Sequence, residues 1–330
     1  MILAGDIGGT KTVLGLFEDR GGDLRQVEEI VYASQEYGTF EEILTKFSNT
    51  QAGQAVQAAC LGVAGPVIDG ACTATNLPWH ISETGLAQAL RTAKVKLIND
   101  LAAMAYGVLF LDDDEFATLN AGTHQDRRGH MAVIAAGTGL GEAFLYWDGE
   151  RHHPIATEGG HATFSPNSAQ EIELLNFLRL RFGGHVSYER VLSGPGLYHI
   201  YEFLRGSSDE PEPAWLTEQS RHDDPSAAVS KAGLTGTDTV CAATLDLFSS
   251  IYGVEAGNLA LKVLSTGGVV LGGGIAPKIL PVLENGSFMR GYAAKGRFSG
   301  LLGSLEVRVA LNPRAPLIGA AHLARQLAGA

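Results

Sequence analysis

Residues 2–12 read "ILAGDIGGTKT": an apolar run is followed by an acidic residue, two glycines, a threonine and a lysine. Glycine tolerates the tight backbone turns that join neighbouring strands. The sequence therefore predicts a β-hairpin of Ile2–Ala4 and Val13–Phe17 around this turn. A carboxylate, Asp6, stands at the entrance of the turn, and an ordinary hairpin does not require one.

Two interpretations of this turn are open. The backbone N–H groups of Gly8 and Gly9 can converge on a phosphate, with Thr10 and Lys11 adding a hydroxyl and a cation. Asp6 would repel a phosphate unless a divalent cation lies between them, held by Asp6 directly or through water. The alternative is a plain hairpin with an Asx-type turn. The stretch lacks the GxxxxGK[ST] pattern of a Walker P-loop.

Two further glycine turns follow predicted strands. The stretch "AAGTGLG" (135–141) ends the predicted strand Met131–Ala136 and offers Thr138 as a hydroxyl donor. The stretch "VVLGGGIA" (269–276) opens Gly272–Gly274 toward a predicted helix, whose N-terminus suits a nucleotide phosphate. A tight connection between two elements explains each turn equally well when it is taken alone. Together, the three turns favour a nucleotide held between two related halves.

Polar side chains stand at two other strand ends. In "LINDLAAMAYG" (97–107), Asn99 and Asp100 lie between a predicted strand and a predicted helix. Both residue types are favoured helix caps. The functional interpretation makes Asp100 a general base, with Asn99 beside it holding a substrate.

A third group of polar residues surrounds glycines. In "TEGGHATFSP" (157–166), Glu158 and His161 could be metal ligands, but no cysteine or histidine follows at ligand spacing. A pair of side chains that binds neutral hydroxyls fits better. Glu189, in "YERVLSGPG" (188–196), is either a solvated charge beside Arg190 or a member of the same site.

Composition limits the classes of partner and compartment. The 330 residues carry a net charge of −12, which argues against nucleic acid and anionic membranes as main partners. The three cysteines, Cys60, Cys72 and Cys241, form no CxxC pair and predict reduced thiols in the cytoplasm. The first residues do not resemble a signal peptide. The apolar stretch Leu101–Leu111 is too short to span a bilayer.

The remaining pattern predicts alternating strands and helices. A capping box at Ser168 and Glu171 opens a helix that ends at Phe182. The acidic, proline-rich residues 206–226 are expected to form an exposed loop. Thr237–Leu264 is expected to be a long helix with a possible break near Gly253 or Gly257.

The order of the motifs carries a family resemblance. They follow one another along nearly the whole chain as "GDIGGT" (5–10), "GVAGPV" (62–67), "TNLPW" (75–79), "LINDLAAMAYG" (97–107), "AAGTGLG" (135–141), "EGGH" (158–161), "ERVLSGPG" (189–196) and "LGGGIAPK" (271–278). This ordered set resembles the bacterial glucokinases of the hexokinase, Hsp70 and actin superfold.

The resemblance implies an α/β chain with a two-lobed, actin-like ATPase fold, in which each lobe has a ribonuclease H-like sheet and an active-site cleft lies between the lobes. It implies a smaller lobe of residues 1–111 and 312–330. The larger lobe, residues 112–311, would carry part of the sugar site and the surface of a homodimer.

The resemblance also implies an enzyme that transfers the γ-phosphoryl group of ATP to the 6-hydroxyl of glucose, with Mg²⁺ as the metal. Asp100 would be the catalytic base, and the sugar would contact Asn99, Asp100, Glu158, His161 and Glu189. Asp6 would hold Mg²⁺. The nucleotide would contact Gly5, Asp6, Ile7, Gly8, Gly9, Thr10, Lys11, Gly137, Thr138, Gly272, Gly273 and Gly274.

Two alternatives stay open. ROK-type sugar kinases and repressors share "DIGGTK" and an "EGGH"-like histidine, but they usually carry a zinc-binding CxCGxxGC segment after that histidine. Here His161 is followed by "ATFSPNSAQEIE", which contains no cysteine. The other alternative is a sugar-sensing protein without turnover, for which a base at Asp100 would be unnecessary.

Overall fold

The computed structural model describes residues 1–21, 23–50, 56–74, 76–123, 128–208, 211–222 and 224–329. The chain divides into two compact units. The first unit comprises Met1–Glu115, Ala143–Ala156 and Asn312–Ala330, and the second comprises Phe116–Glu142 and Thr157–Leu311.

The first unit is built on a five-stranded sheet in the order β3-β2-β1-β4-β7. The hairpin predicted from the opening stretch is its antiparallel half, while β4 and β7 run parallel to β1. The strands of this unit's sheets are β1 (Ile2–Ile7), β2 (Lys11–Arg20), β3 (Asp23–Ala33), β4 (Ala58–Val63), β5 (Ala71–Thr73), β6 (His80–Ser82) and β7 (Val95–Asn99). Strands β5 and β6 form a separate pair.

Helices cover both faces of this sheet. They are α1 (Phe40–Ser48), α2 (Glu83–Leu90), α3 (Asp100–Gly107) and α12 (Ala315–Gly329). Successive side chains of a strand point to opposite faces. Leu3 accordingly lies in the core that contains Phe40 of α1, whereas Ile2 lies in the core that contains Leu317 of α12. Burial of β1 on both faces explains why its sequence is continuously apolar up to Asp6.

One segment departs from the expected lobe boundaries. Ala143–Ala156, which the sequence analysis places in the larger lobe, groups with the first unit. It contains most of β10 (Leu140–Trp147) and all of β11 (His152–Ala156), which form an antiparallel hairpin. Packing of β11 against α3 accounts for the grouping.

The second sheet repeats the topology of the first. Its order is β11-β10-β9-β12-β13-β8, so that β9 has the central place that β1 has in the first sheet. Strand β12 is parallel to both β9 and β13. Besides β10 and β11, its strands are β8 (Phe116–Asn120), β9 (Met131–Ala136), β12 (Val269–Gly272) and β13 (Val307–Ala310). The turns "GDIGGT" and "AAGTGLG" therefore occupy equivalent places, after the central strand of each sheet.

The second unit is rich in helices. They are α4 (Ala169–Phe182), α5 (Gly194–Gly206), α6 (Ala214–His222), α7 (Pro225–Thr235), α8 (Thr239–Val263), α9 (Leu280–Leu283), α10 (Ser287–Ala293) and α11 (Ser299–Ser304). The expectation of a plain loop over 206–226 is wrong, because α6 lies within it and buries Leu216 in the core. Residues 209, 210 and 223 of that stretch lie outside the described residues.

The expected break in the long helix is also absent, because α8 runs unbroken through Gly253 and Gly257. A Cβ atom at Gly253 would lie 2.0 Å from the carbonyl oxygen of Phe288, and one at Gly257 would lie 2.5 Å from that of Tyr292. The two glycines therefore allow the backbone of α10 to approach α8 closely. The structural need here is space, not a change of backbone direction.

Gly253→Ala should destabilise the protein by about 1–3 kcal/mol or more, because a methyl group must displace backbone atoms of α10. The measurement is the urea unfolding midpoint. Gly300→Ala is the matched control: Gly300 lies in α11, and no heavy atom lies within 4 Å of its added Cβ. Equal midpoints for the two variants would contradict the packing argument.

The three cysteines are buried in the cores. Cys60 and Cys72 lie in β4 and β5 of the first unit, and Cys241 lies in α8 of the second. Burial raises the pKa of the Cys60 thiol to about 12, and burial together with Asp238 raises that of Cys241 to about 12. Among the described helices, none has the length and apolar character needed to cross a membrane.

Candidate active site

The turn between β1 and β2 is held by hydrogen bonds to residues of its own unit. The Gly8 N–H donates to the carbonyl of Lys11 over 3.0 Å. The Ser34 hydroxyl donates to the carbonyl of Gly8 over 2.8 Å, and the Ser34 N–H donates to that of Thr10 over 3.0 Å. The expectation that the Gly8 amide faces an anion is corrected here, because that N–H closes the hairpin.

Asp6 is a desolvated carboxylate at the end of β1. Burial raises its pKa, and the charge of Lys11 opposes the rise only in part. Within the described residues its carboxylate accepts no hydrogen bond, and desolvation and Lys11 are the causes of its shift. A largely desolvated carboxylate without donors is well suited to a cation. A single carboxylate fits Mg²⁺, which commonly keeps waters and completes its coordination with substrate phosphates.

The second glycine turn joins β9 to β10 through Gly137–Gly139. The Gly137 N–H donates to the carbonyl of Gly139 over 2.8 Å, and the Gly137 carbonyl accepts from the Gly194 N–H over 2.8 Å. Thr138 is exposed at the tip. The turn is thus held against the start of α5, and the Thr138 hydroxyl is accessible to a ligand.

The third glycine turn differs from its expected form. Gly272 ends β12, Gly273 has a φ of +76°, and a run of turns continues to Ile279 before α9 begins. The positive φ directs the chain back toward β9, where the Ile275 N–H donates to the carbonyl of Ala136 over 3.2 Å. A run of turns therefore separates Gly272–Gly274 from the helix that the sequence predicts after them.

At the start of α3, the structure shows which of the two polar residues Asn99 and Asp100 caps the helix. Asn99 is the N-cap: its Oδ1 accepts from the N–H groups of Leu101 and Ala102 over 2.9 and 3.2 Å. Its Nδ2 donates to the carbonyl of Gly65 over 3.2 Å. Asp100 is the first helical residue, and its Oδ1 accepts from the Leu101 N–H over 2.9 Å. The cap is therefore Asn99 and not Asp100.

The three polar residues expected at the sugar come together within the second unit. The His161 Nε2 lies 3.9 Å from Glu158 Oε2, and its Nδ1 lies 3.9 Å from Glu189 Oε1. Their side chains are 59%, 52% and 31% exposed for His161, Glu158 and Glu189 respectively. Glu189 is also fixed from behind, because its Oε2 accepts from the Leu140 N–H over 3.1 Å. Such a cluster offers closely spaced donors and acceptors for hydroxyl groups.

A chelator should not lower the melting temperature of the protein. In the described part of the chain, no group of three or more His, Cys, Asp or Glu side chains could hold a metal ion. A structural zinc would make chelation destabilising, since metal binding free energy becomes folding free energy. The measurement is thermal unfolding with and without EDTA, together with metal analysis of the purified protein. Stoichiometric zinc would contradict this prediction.

The sequence analysis missed a polar network around Glu255, a fully buried acid of α8. We call it the carboxyl network, and its members are Tyr188, Glu255, Asn258 and Lys262. Asn258 Nδ2 donates to Glu255 Oε2 over 2.8 Å and lies 3.2 Å from the Tyr188 hydroxyl. Lys262 Nζ lies 3.4 Å from Glu255 Oε1. The available signal was Glu255, a lone acid in the apolar stretch "SIYGVEAGNLAL" (250–261).

Comparison with known proteins gives a consistent result. The family model described as Glucokinase matches residues 3–327. A glucokinase of Synechocystis sp. is 44% identical, with 98% of each chain covered. The crystal structure of a glucokinase from an Antarctic psychrotroph has a TM-score of 0.83 at 31% identity, again with 98% of each chain covered.

The fold extends to more distant proteins. A ROK family glucokinase from Streptomyces griseus, solved with glucose and AMPPNP, has a TM-score of 0.67 at 22% identity. The match covers 98% of this chain and 99% of that one, and at this identity it bears on the fold alone. The predicted α/β fold of the actin-like ATPase type is confirmed by these similarities and by the repeated sheet topology.

Proposed function

Because this chain belongs to the glucokinase family, we propose that it transfers the γ-phosphoryl group of ATP to the 6-hydroxyl of glucose. The observation that carries the proposal is the convergence of His161 with Glu158 and Glu189 in a chain of this family. A ROK-type kinase of different specificity is disfavoured, since His161 is not followed by a cysteine cluster.

Each polar group has a role in the proposed reaction. Asp100 accepts the proton of the attacking hydroxyl as the new bond to phosphorus forms. Glu158, His161 and Glu189 hydrogen-bond the ring hydroxyls of the sugar. A sugar that lacks one of these hydroxyls leaves one of these polar side chains without its partner, and the site discriminates against it. Asn99 mainly holds the start of α3, because both of its polar side-chain atoms bond to the chain itself.

The phosphates are the proposed ligands of the glycine turns. The N–H groups of Gly9 and Thr10, and the hydroxyl of Thr138, would donate to oxygens that gain charge in the transition state. Mg²⁺, when bound, would neutralise charge on the phosphates. Asp6 would hold the ion or its waters.

A coupled assay of sugar 6-phosphate formation tests the proposal directly. It is run over a panel of hexoses with ATP, ADP and polyphosphate as donors. Glucose with ATP should give the highest kcat/KM. Turnover of another hexose in preference to glucose would favour a ROK-type activity, and sugar binding without turnover with any donor would favour a sensor. The homodimer and the cytoplasmic location also remain proposals, and sedimentation analysis of the purified chain tests the dimer.

A further inference from the structure

Ser34 directly follows β3 and lies against the turn that joins β1 to β2 in the same unit. Its side chain is fully buried, although serine is mostly exposed in folded proteins. Its N–H donates to the carbonyl of Thr10 over 3.0 Å, and its hydroxyl donates to the carbonyl of Gly8 over 2.8 Å. One residue therefore holds two peptide groups of the turn, Gly8–Gly9 and Thr10–Lys11.

The number of protons fixes the direction of the hydrogen bonds around Ser34. A hydroxyl group has one proton to donate and two lone pairs to accept with. The bond to the Gly8 carbonyl uses the proton of Ser34. The Thr12 hydroxyl is also fully buried and lies 3.0 Å from that of Ser34, so it must donate to Ser34. The two hydroxyls form a chain that ends on the Gly8 carbonyl.

The bond from Ser34 orients the peptide group that Gly8 shares with Gly9. This peptide is trans and planar, so its N–H points away from its C=O. Because the carbonyl faces the buried Ser34, the Gly9 N–H faces the open side of the turn, where Thr10 is exposed. Within the described residues, that N–H donates no hydrogen bond. It is therefore available to a ligand.

Two adjacent glycines would also allow this peptide to take the opposite orientation. A flip changes ψ of Gly8 and φ of Gly9, and a residue without a Cβ atom tolerates such changes. After a flip, the Gly9 N–H would face the interior and the Gly8 carbonyl oxygen would face the ligand. The flip would also leave the buried Ser34 hydroxyl without its acceptor, which is costly. Ser34 therefore stabilises the orientation in which the N–H faces outward.

We propose that Ser34 is a positioning residue, which acts through the Gly8–Gly9 peptide and holds the Gly9 N–H toward a phosphate of the nucleotide. The inference rests on the proposed function, in which this N–H donates to oxygens that gain charge in the transition state. A donor that is already oriented needs no reorganisation during the reaction. Thr12 stands one hydrogen bond further from the peptide and supports Ser34.

The test compares Ser34→Ala with the matched control Thr12→Val. Both variants lose the buried hydrogen bond between Thr12 and Ser34, and both should lower the melting temperature. Ser34→Ala additionally loses the bond to the Gly8 carbonyl. Its kcat should fall at least about tenfold, since outright loss of such a donor typically costs about 10²–10³-fold. The kcat of Thr12→Val should stay close to that of wild type.

The dissociation constant for glucose, measured without nucleotide, should be unchanged in both variants, because the peptide concerned carries a proposed phosphate donor and not a sugar contact. Equal kcat values for Ser34→Ala and Thr12→Val would overturn the proposal. A loss of stability alone would affect both variants, whereas loss of the peptide's orientation affects Ser34→Ala.

Amide hydrogen exchange of the wild-type protein provides a second test, which does not depend on how well Ser34→Ala folds. The probe is the Mg²⁺ complex of AMPPNP. Exchange of the Gly9 N–H should slow when this nucleotide is added, because the N–H gains an acceptor. Exchange of the Gly8 N–H, which already donates to the Lys11 carbonyl over 3.0 Å, should change much less. Unchanged exchange at Gly9 would overturn the proposal.

The proposed function and the role of Ser34 fail in different ways. If wild type phosphorylates no sugar with ATP, the proposed function fails, and the exchange experiment alone decides whether Ser34 presents the Gly9 N–H to a nucleotide. If wild type phosphorylates glucose but Ser34→Ala has the kcat of Thr12→Val, the role of Ser34 fails and the proposed function stands.

Discussion

Asp100→Asn should lower kcat by at least about a hundredfold, while the melting temperature stays close to that of wild type. An amide has no useful proton affinity at neutral pH, so it cannot replace a general base. General-base catalysis contributes about 10²–10⁴-fold, or roughly 3–5 kcal/mol of barrier. The helix cap is unaffected because Asn99, not Asp100, caps α3. Glucose affinity should weaken only modestly, since asparagine still hydrogen-bonds a hydroxyl.

The control is the neighbouring residue. Asn99→Ala removes the cap and should cost about 1 kcal/mol of folding free energy. Its effect on kcat should be much smaller than that of Asp100→Asn. Single-turnover and steady-state kinetics with thermal unfolding measure both variants. A folded Asp100→Asn protein with turnover within about threefold of wild type, below the general-base range, would remove Asp100 from the mechanism.

Asp6→Ala should reduce kcat by about a hundredfold, because an ion positioned at the phosphates is worth several kcal/mol in the transition state. The dissociation constant for glucose should change little. The melting temperature should not fall, since the Asp6 carboxylate is desolvated and accepts no hydrogen bond within the described residues. Removal of such a group relieves a cost of burial.

Asp23→Ala is the matched control, because Asp23 is an exposed carboxylate at the start of β3 in the same sheet. It should behave as wild type in all three measurements. The most informative assay is a magnesium titration at saturating ATP and glucose. Wild-type turnover by Asp6→Ala at limiting magnesium would show that Asp6 does not serve the ion.

Local sequence patterns predicted most of the elements, because their causes are local. The apolar run of β1 and the glycines after it predicted the first hairpin, and Ser168 was correctly identified as the cap of α4. Three features depended on contacts distant in sequence. Gly253 allows α10 to approach α8 closely. After Gly273 the chain turns back, and the Ile275 N–H donates to the carbonyl of Ala136. Burial of Leu216 in the core stabilises α6. None of these partners is visible within a short window of sequence.

The features of the candidate site also fall into those that the sequence could predict and those that it could not. The resemblance implied a sugar site at Glu158, His161 and Glu189. In the structure, a ring nitrogen of His161 lies 3.9 Å from a carboxylate oxygen of each glutamate. The division of roles between Asn99 and Asp100 could not be predicted, since both residue types cap helices. The burial of Glu142 in β10 and of Glu255 in α8 could not be predicted either, because no local pattern encodes the burial of an acidic side chain.

The buried cysteines of this protein can be used to measure local unfolding. A thiol reacts with alkylating reagents as its thiolate, so a thiol whose pKa is about 12 and which lies in a core is inert while the core is closed. Cys60 belongs to the first unit and Cys241 to the second. The rate at which each is alkylated therefore reports how often its own unit opens to solvent. The alkylation rates of Cys60 and Cys241 thus measure local unfolding of the two units separately, without an introduced probe.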